Sequence, residues 1–171
     1  MNLMKAAAIT TIVCGIAWSS IEVRAQDATA REMRDRAEIE ALMWRYVRAL
    51  DTMDADAYAA AYTADGQFKA GTSVTKGRDA LRKMVAGMAD DRKAAAAKGE
   101  TRPPMYHVTT NSHVSFMDAN HARIDAYYMT VFGASGQSSQ PRIAAAGRIV
   151  DLLVRIDGKW LIQSRDVSPR D

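Results

Sequence analysis

The order of hydrophobic patterns along the chain predicts an α+β domain, with N-terminal helices packed on one face of a curved, mostly antiparallel sheet. Three observations carry this. Up to Gly99 the apolar residues recur at helical spacing, and after Pro103-Pro104 they fall in strand-length runs to the end of the chain. The later runs are separated by Asp118-Ala119-Asn120 and Asp157-Gly158, turn sequences of the kind that join antiparallel neighbours.

Residues 1–25 have the layout of a secretory leader. Lys5 stands in a short positive stretch, an apolar run extends from Ala6 to Trp18, and Val23-Arg24-Ala25 places small or modest residues where a cleavage site needs them. The run is shorter than the roughly 20 apolar residues of a membrane span. The expected organisation is a cleaved signal peptide at 1–25 and a single domain at 26–171, in the periplasm or secreted. A retained anchor or a frayed helix is the competing reading. Cys14 is the only cysteine and leaves with the leader, so the mature chain has no disulfide and no thiolate metal site, and it folds on its core alone.

The mature chain of 146 residues suits one compact domain. Its formal charge falls from +3 to +2 when Lys5, Glu22 and Arg24 are lost. Arg and Lys are dispersed among acids rather than gathered in a stripe, which argues against nucleic acid as a partner.

Between Arg31 and Leu50, the residues Ile39, Leu42, Met43, Tyr46, Val47 and Leu50 form one helical stripe. Asp51 follows where the stripe ends, at the negative end of the helix dipole, so something else has to justify it. Capping of the next helix is one candidate reason, because Asp51, Asp54 and Asp56 all precede an Ala-Tyr segment. That second helix, Ala55 to about Tyr62, is expected to stop at the Asp65-Gly66 turn. Gln67 to Ala70 and Thr72 to Thr75 read as a small hairpin. A third helix opens at Gly77-Arg78, continues through Leu81, Met84, Val85 and Met88 towards Ala97, and stops at Gly99. Its methionines suit core packing. Strands are expected at Met105–Met117, His121–Phe132, Arg142–Ile156 and Lys159–Val167, with a polar loop from Gly133 to Pro141.

Strict alternation puts His107, Thr109, Asn111 and His113 on one face of their strand and Val108, Val114 and Phe116 on the other. Val150, Leu152, Val154 and Ile156 likewise oppose Ile149 and Leu153. A sheet that is apolar on both faces implies a second layer, and a homodimer through the outer face is the expectation.

Only three histidines are present, His107, His113 and His121, so few groups can move a proton at neutral pH. They lack metal-ligand spacing, and no Gly-rich phosphate loop or G-x-S-x-G serine motif occurs. A histidine opening a strand and an acid ending a helix have the chemistry of a base with its orienting partner.

Four segments, in order and spacing, resemble the SnoaL-like branch of the nuclear transport factor two-like superfamily, a cone-shaped α+β fold. They are Tyr46-Val47-Arg48-Ala49-Leu50-Asp51 with the Tyr58 to Asp65 run, Lys76-Gly77-Arg78-Asp79-Ala80-Leu81, His107-Val108-Thr109-Thr110-Asn111, and Val154 to Trp160 followed by Arg165. Within that branch the chain looks most like the cofactor-free lyases: scytalone dehydratase, bile-acid dehydratase and hexachlorocyclohexane dehydrochlorinase. The resemblance implies a base dyad of Asp51 and His107, with Tyr46 donating a hydrogen bond to a carbonyl or leaving oxygen. It also implies substrate contacts from Asn111, Tyr62, Phe68, Tyr128 and Arg165. It calls for no cofactor or metal. The second histidine of scytalone dehydratase has no equivalent here, because that strand reads Asp125-Ala126-Tyr127-Tyr128. A tyrosine replaces it, His113 assists, or the leaving group needs less help.

The implied activity is elimination (dehydration, deformylation or dehydrohalogenation) on a small hydrophobic, aromatic or polycyclic substrate. Isomerisation of the ketosteroid-isomerase type and a non-catalytic ligand-binding or dimerisation module are the competing readings. At single residues the competing readings are structural. His107 is then a hydrogen-bonded core histidine, and Tyr127, Tyr128 and Met129 pack. Arg148 and Arg165 pair with Asp151 and Asp166 at the sheet surface.

Overall fold

The computed structural model describes residues 4–134 and 140–169, with side chains from Gln26 onward. Of the expected leader, residues 1–3 and the side chains up to Ala25 fall outside this description, as does the Ser138-Ser139 part of the polar loop. The chain divides into two units, Met1–Glu38 and Ile39–Asp171. Helix α1, Met4–Thr52, begins far upstream of the expected Arg31. In the first unit its exposed face carries the i,i+4 pair Glu32–Arg36, with a 2.7 Å contact. Among the described residues no helix is long and apolar enough to cross a membrane.

The second unit holds the rest of α1, then α2 (Ala55–Ala60), β1 (Tyr62–Ala70), β2 (Ser73–Lys76), α3 (Arg78–Ala97), β3 (Met105–Phe116), β4 (His121–Phe132), β5 (Arg142–Ile156) and β6 (Lys159–Asp166). The six strands form one sheet in the order β2-β1-β6-β5-β4-β3. Every pairing is antiparallel except β1 with β6. The helices cover one face. Ile39, Leu42, Tyr46, Ala49 and Leu50 of α1 and Leu81 and Val85 of α3 pack in one core with Ala122, Ile124, Ala126, Leu153 and Ile162 of the sheet. The helical stripe read from the sequence is thus the core stripe, as its spacing requires.

Two local expectations fail for physical reasons. Asp65-Gly66 does not end α2. It lies inside β1 at an irregularity between Tyr62 and Gln67, where a Cβ on residue 66 would come within 2.9 Å of the Tyr62 Cβ. Strict alternation also fails in β3, because the β3–β4 register slips by one residue between Thr110 and His113. Asn111, at the slip, has φ +51, a left-handed conformation that asparagine tolerates better than most residues. The extra residue inverts the remainder of the strand. His107, Thr109, Val114 and Phe116 therefore share the inner, helix-facing side through their partners Thr130, Tyr128, Ile124 and Ala122, whereas His113, opposite Asp125, turns outward.

Candidate active site

Asp51 reaches the inner rim because α1 ends abruptly beyond it. Met53 takes φ +58, and the Asp54 backbone N–H closes the turn on the Ala49 carbonyl at 2.8 Å. The cap of α2 is Asp54, whose carboxylate accepts from the Ala57 backbone N–H at 3.0 Å. Asp51 is thereby left for another partner. Its Oδ1 accepts from His107 Nδ1 at 2.8 Å and from the His107 backbone N–H at 3.1 Å. One oxygen fixes both the ring and the strand that carries it. With Nδ1 donating to the carboxylate, Nε2 is the nitrogen with a free lone pair. The side chains are 19% and 9% exposed, so the pair sits at a rim rather than in the core.

A second polar cluster lies deeper. The Tyr46, Tyr58 and Tyr62 rings have centroids 5.2 to 6.0 Å apart, and the Tyr58 and Tyr62 hydroxyls are 3.2 Å apart. The Arg165 guanidinium lies 4.3 Å from the Tyr46 ring centre and donates to Asp151 Oδ2 at 2.9 Å. Burial pushes the Tyr58 and Tyr62 phenols well above the ordinary phenol range. Burial also pushes the Asp151 carboxyl up to about 6, against the opposing pull of Arg165. At Arg165 burial disfavours the charge, but Asp151 and the three phenols outweigh it and hold the guanidinium above its usual value. Asp151 Oδ1 and Arg165 Nε have no hydrogen-bond partner among the described residues.

The structure thus brings Asp51 to His107, and gathers Tyr46, Tyr62 and Arg165 in the buried cluster, with Phe68 beside Arg165 in register on β1. Tyr128 lies on the inner face, opposite Thr109 and one pair along from His107. Asn111 is not brought to this site. It is exposed at the bulge, its amide oxygen accepting from the Thr110 hydroxyl at 3.3 Å, and its part is conformational. The Arg165–Asp151 pair, which the competing structural reading puts at the surface, is buried, with 5% and 2% of the side chains exposed. The sequence reading left out Tyr58 as a site residue, although its i,i+4 spacing to Tyr62 was the available signal. A separate open hollow of about 510 Å³ at the start of α3, lined by Lys76, Arg78 and Lys83 among others, contains none of the candidate residues. Among the described residues no group of three or more His, Cys, Asp or Glu side chains could hold a metal ion.

The model of the SnoaL-like domain matches residues 31–166 of this sequence. The chain belongs to the SnoaL-like family. Comparison of this SnoaL-like chain with curated proteins gives no match. Solved structures resemble it closely in fold. A Mycobacterium tuberculosis protein of unknown function is 24% identical, with a TM-score of 0.69 over 82% of this chain and 74% of the other. A nuclear transport factor two-like protein with a cystatin-like fold from Novosphingobium aromaticivorans is 22% identical, with a TM-score of 0.66 over 81% and 84%. A candidate scytalone dehydratase from the same organism is 22% identical, with a TM-score of 0.65 over 81% and 85%. At these identities the likeness shows the fold alone. That fold, helices on one face of an open six-stranded sheet, is the one expected for this SnoaL-like domain.

Proposed function

We propose that this SnoaL-like domain is a cofactor-independent lyase, in which His107 removes a proton from carbon and Asp51 holds the imidazole tautomer and stabilises the imidazolium that forms. The observation that supports this most is the double acceptance by Asp51 Oδ1, which orients His107 with Nε2 as the free base. Tyr46, five residues before the acid and buried with Tyr58 and Tyr62, is the candidate donor to the carbonyl oxygen of a substrate. The candidate scytalone dehydratase among the structural neighbours favours elimination of water as the reaction. The half-buried side chains packed against the core, Met43, Val47, Met84, Met88 and Phe132 among them, favour a hydrophobic aromatic or polycyclic substrate.

The same reading places the mature chain in the periplasm or outside the cell, as a homodimer. Tyr106, Val108, Tyr127 and Ile143 lie on the outer face and are 48%, 40%, 52% and 62% exposed, an apolar surface that a second copy would cover. A concentration-independent monomer in light scattering would remove the dimer.

The test of function uses β-hydroxy-β-aryl ketones as probes, with the enone product read by its ultraviolet absorbance. Turnover that His107→Ala abolishes supports the lyase. Conversion of a β,γ-unsaturated ketone to its conjugated isomer, with no loss of water from the hydroxy probes, would instead make the protein an isomerase with the same base. Probe binding unaffected by His107→Ala, with no turnover, would make it a binding module.

A further inference from the structure

We propose that Tyr128, seated on Gly147, is the proton donor to the leaving group opposite His107, an inference that rests on the elimination reading above. Elimination of water needs an acid as well as a base, because hydroxide leaves poorly unless it is protonated. His113 is removed from this role by the bulge at Asn111, which turns it to the outer face opposite Asp125. The chain has six tyrosines. The Tyr58 and Tyr62 hydroxyls are engaged with one another in the buried cluster, and Tyr46 beside them is the donor assigned to the carbonyl oxygen. Tyr106 and Tyr127, in register with Val131 and Thr110, lie on the outer face. Only Tyr128 shares the inner face with His107 and stands outside the buried cluster.

The register gives the spacing. His107 pairs with Thr130 and Thr109 with Tyr128, so His107 and Tyr128 are diagonal neighbours, roughly 7 to 8 Å apart at the backbone. The phenol leans over Gly147 on β5, on the other side of β4 from His107, so a substrate lying across β4 would meet both groups. The burial of β4 marks the same place. Ala122, Ile124 and Ala126 are buried inner-face residues, whereas Tyr128, Thr130 and Phe132 are only half-buried, so the packed core ends and accessible space begins at Tyr128.

Gly147 supplies the seat. It pairs with Tyr128 across β4 and β5, and a Cβ there would stand 3.1 Å from Tyr128 Cε1 and 3.7 Å from its hydroxyl oxygen. The hydroxyl-bearing edge of the ring therefore lies over the bare glycine. Gly147 is a positioning residue: a Cβ at that position presses on this edge and displaces the phenol.

The step balances. His107 Nε2 takes the proton from carbon, the C–H electrons form the double bond, and the C–O bond breaks. The leaving oxygen takes the Tyr128 hydroxyl proton and departs as water. The imidazolium then returns its proton to the Tyr128 phenolate through that water, restoring both groups.

Two probes that yield the same enone separate acid from base: 4-hydroxy-4-phenylbutan-2-one, which must lose hydroxide, and its 4-(4-nitrophenoxy) counterpart, whose leaving group departs unprotonated. Tyr128→Phe is expected to lower turnover of the hydroxy probe about 100-fold or more and that of the nitrophenoxy probe less than about threefold. Gly147→Ala should show the same selectivity in weaker form, and His107→Ala should abolish both reactions. Equal losses on the two probes in Tyr128→Phe, or no loss, would overturn the acid and leave the dyad standing. If the wild type eliminates neither probe, the lyase reading falls. Tyr128 is then judged by the visible-band titration of 4-nitrophenol, with about fivefold or more weakening in Tyr128→Phe expected. Equal binding, or none by the wild type, overturns its place as a donor to a bound oxygen.

Discussion

Two aspartates of this domain hold a nitrogen at nearly the same distance and are put to different use. Asp51 accepts from His107 at 2.8 Å and Asp151 from Arg165 at 2.9 Å. The first pair stands at the rim of the inner face, where its side chains keep 19% and 9% exposure. The second keeps 5% and 2% beneath three phenols. Their partners differ more than their geometry. An imidazole can give up and regain a proton near neutral pH, whereas a guanidinium stays charged in any folded protein. The rim pair can therefore do proton chemistry with a substrate, while the interior pair is shut away from any substrate and its removal is felt as stability. Reaction and structure are separated by depth and by the choice of base.

The largest expected effect falls on the rim. Replacing His107 with Ala, or Asp51 with Asn, should each lower turnover of the elimination probes by about 10² to 10⁴. The urea midpoint should move little, because both side chains keep water beside them. Steady-state rates on variants whose far-ultraviolet circular dichroism is native will decide this, and full turnover in either variant breaks the comparison on its catalytic side.

The interior pair should answer in the opposite sense. Asp151→Ala leaves the Arg165 charge buried without its counterion, which costs about 3 to 5 kcal/mol of stability. Replacing both, as Asp151→Leu with Arg165→Met, should restore most of that loss, since apolar residues of similar volume satisfy the same space. Urea denaturation of the three proteins measures it. A loss below about 1 kcal/mol in Asp151→Ala would mean that water reaches the pair, and the contrast in depth would vanish.

How much of this was legible in the sequence depends on the range of the interaction. The bounds of β4 and β5 were readable because their ends are local. Asp157 and Gly158 adopt φ +49 and +75, the paired positive values that a two-residue hairpin turn requires. The α1 stripe was readable because helical spacing is local too. The contact between Asp51 and His107 spans 56 positions. No periodicity encodes such a contact; the chemistry of the two residue types and the family resemblance suggested it. The face of His113 was misread because alternation presumes a regular strand, and a single left-handed residue at Asn111 cancels that premise. The depth of Asp151 and Arg165 was hidden for a related reason: two charges on neighbouring strands suggest a solvated face, and only the covering helices bury them.

The pH dependence sharpens the comparison further. The Asp151 carboxyl titrates near 6 in the folded protein and near 3.8 when exposed. A folded value above the unfolded one means that this group's contribution is fully present below about 3.8 and is lost as the pH rises through about 6. Lowering the pH from 7 to 5 should therefore raise the unfolding free energy measured in urea through Asp151, by at most ~1.4 kcal/mol per pH unit. Asp118, lowered by the backbone N–H of Asn120 and by His121, and Asp125, lowered by Arg123, act in the other sense. Their contributions are lost only as the pH falls through their depressed values, beneath this window. The difference between wild type and Asp151→Asn isolates the effect. The wild type should gain more on acidification than the variant, and identical slopes would show that Asp151 stays ionised throughout.

The smallest effect tests whether aspartates three positions apart are as different as their partners imply. Asp54 accepts from the Ala57 backbone N–H at 3.0 Å and opens α2, satisfying a donor that the helix itself cannot. Asp54→Ala should cost about 1 kcal/mol of stability, and it should leave turnover of the elimination probes within about twofold of wild type. Asp51→Asn should do the reverse, because its carboxylate serves His107 and no helix terminus. The two variants, measured side by side by urea midpoint and by rate, should form a crossed pattern. If Asp54→Ala lowered the rate as strongly as Asp51→Asn, the abrupt end of α1 at Met53 would have to act as one unit with the cap. His107 would then owe its orientation to the whole turn rather than to a single carboxylate oxygen.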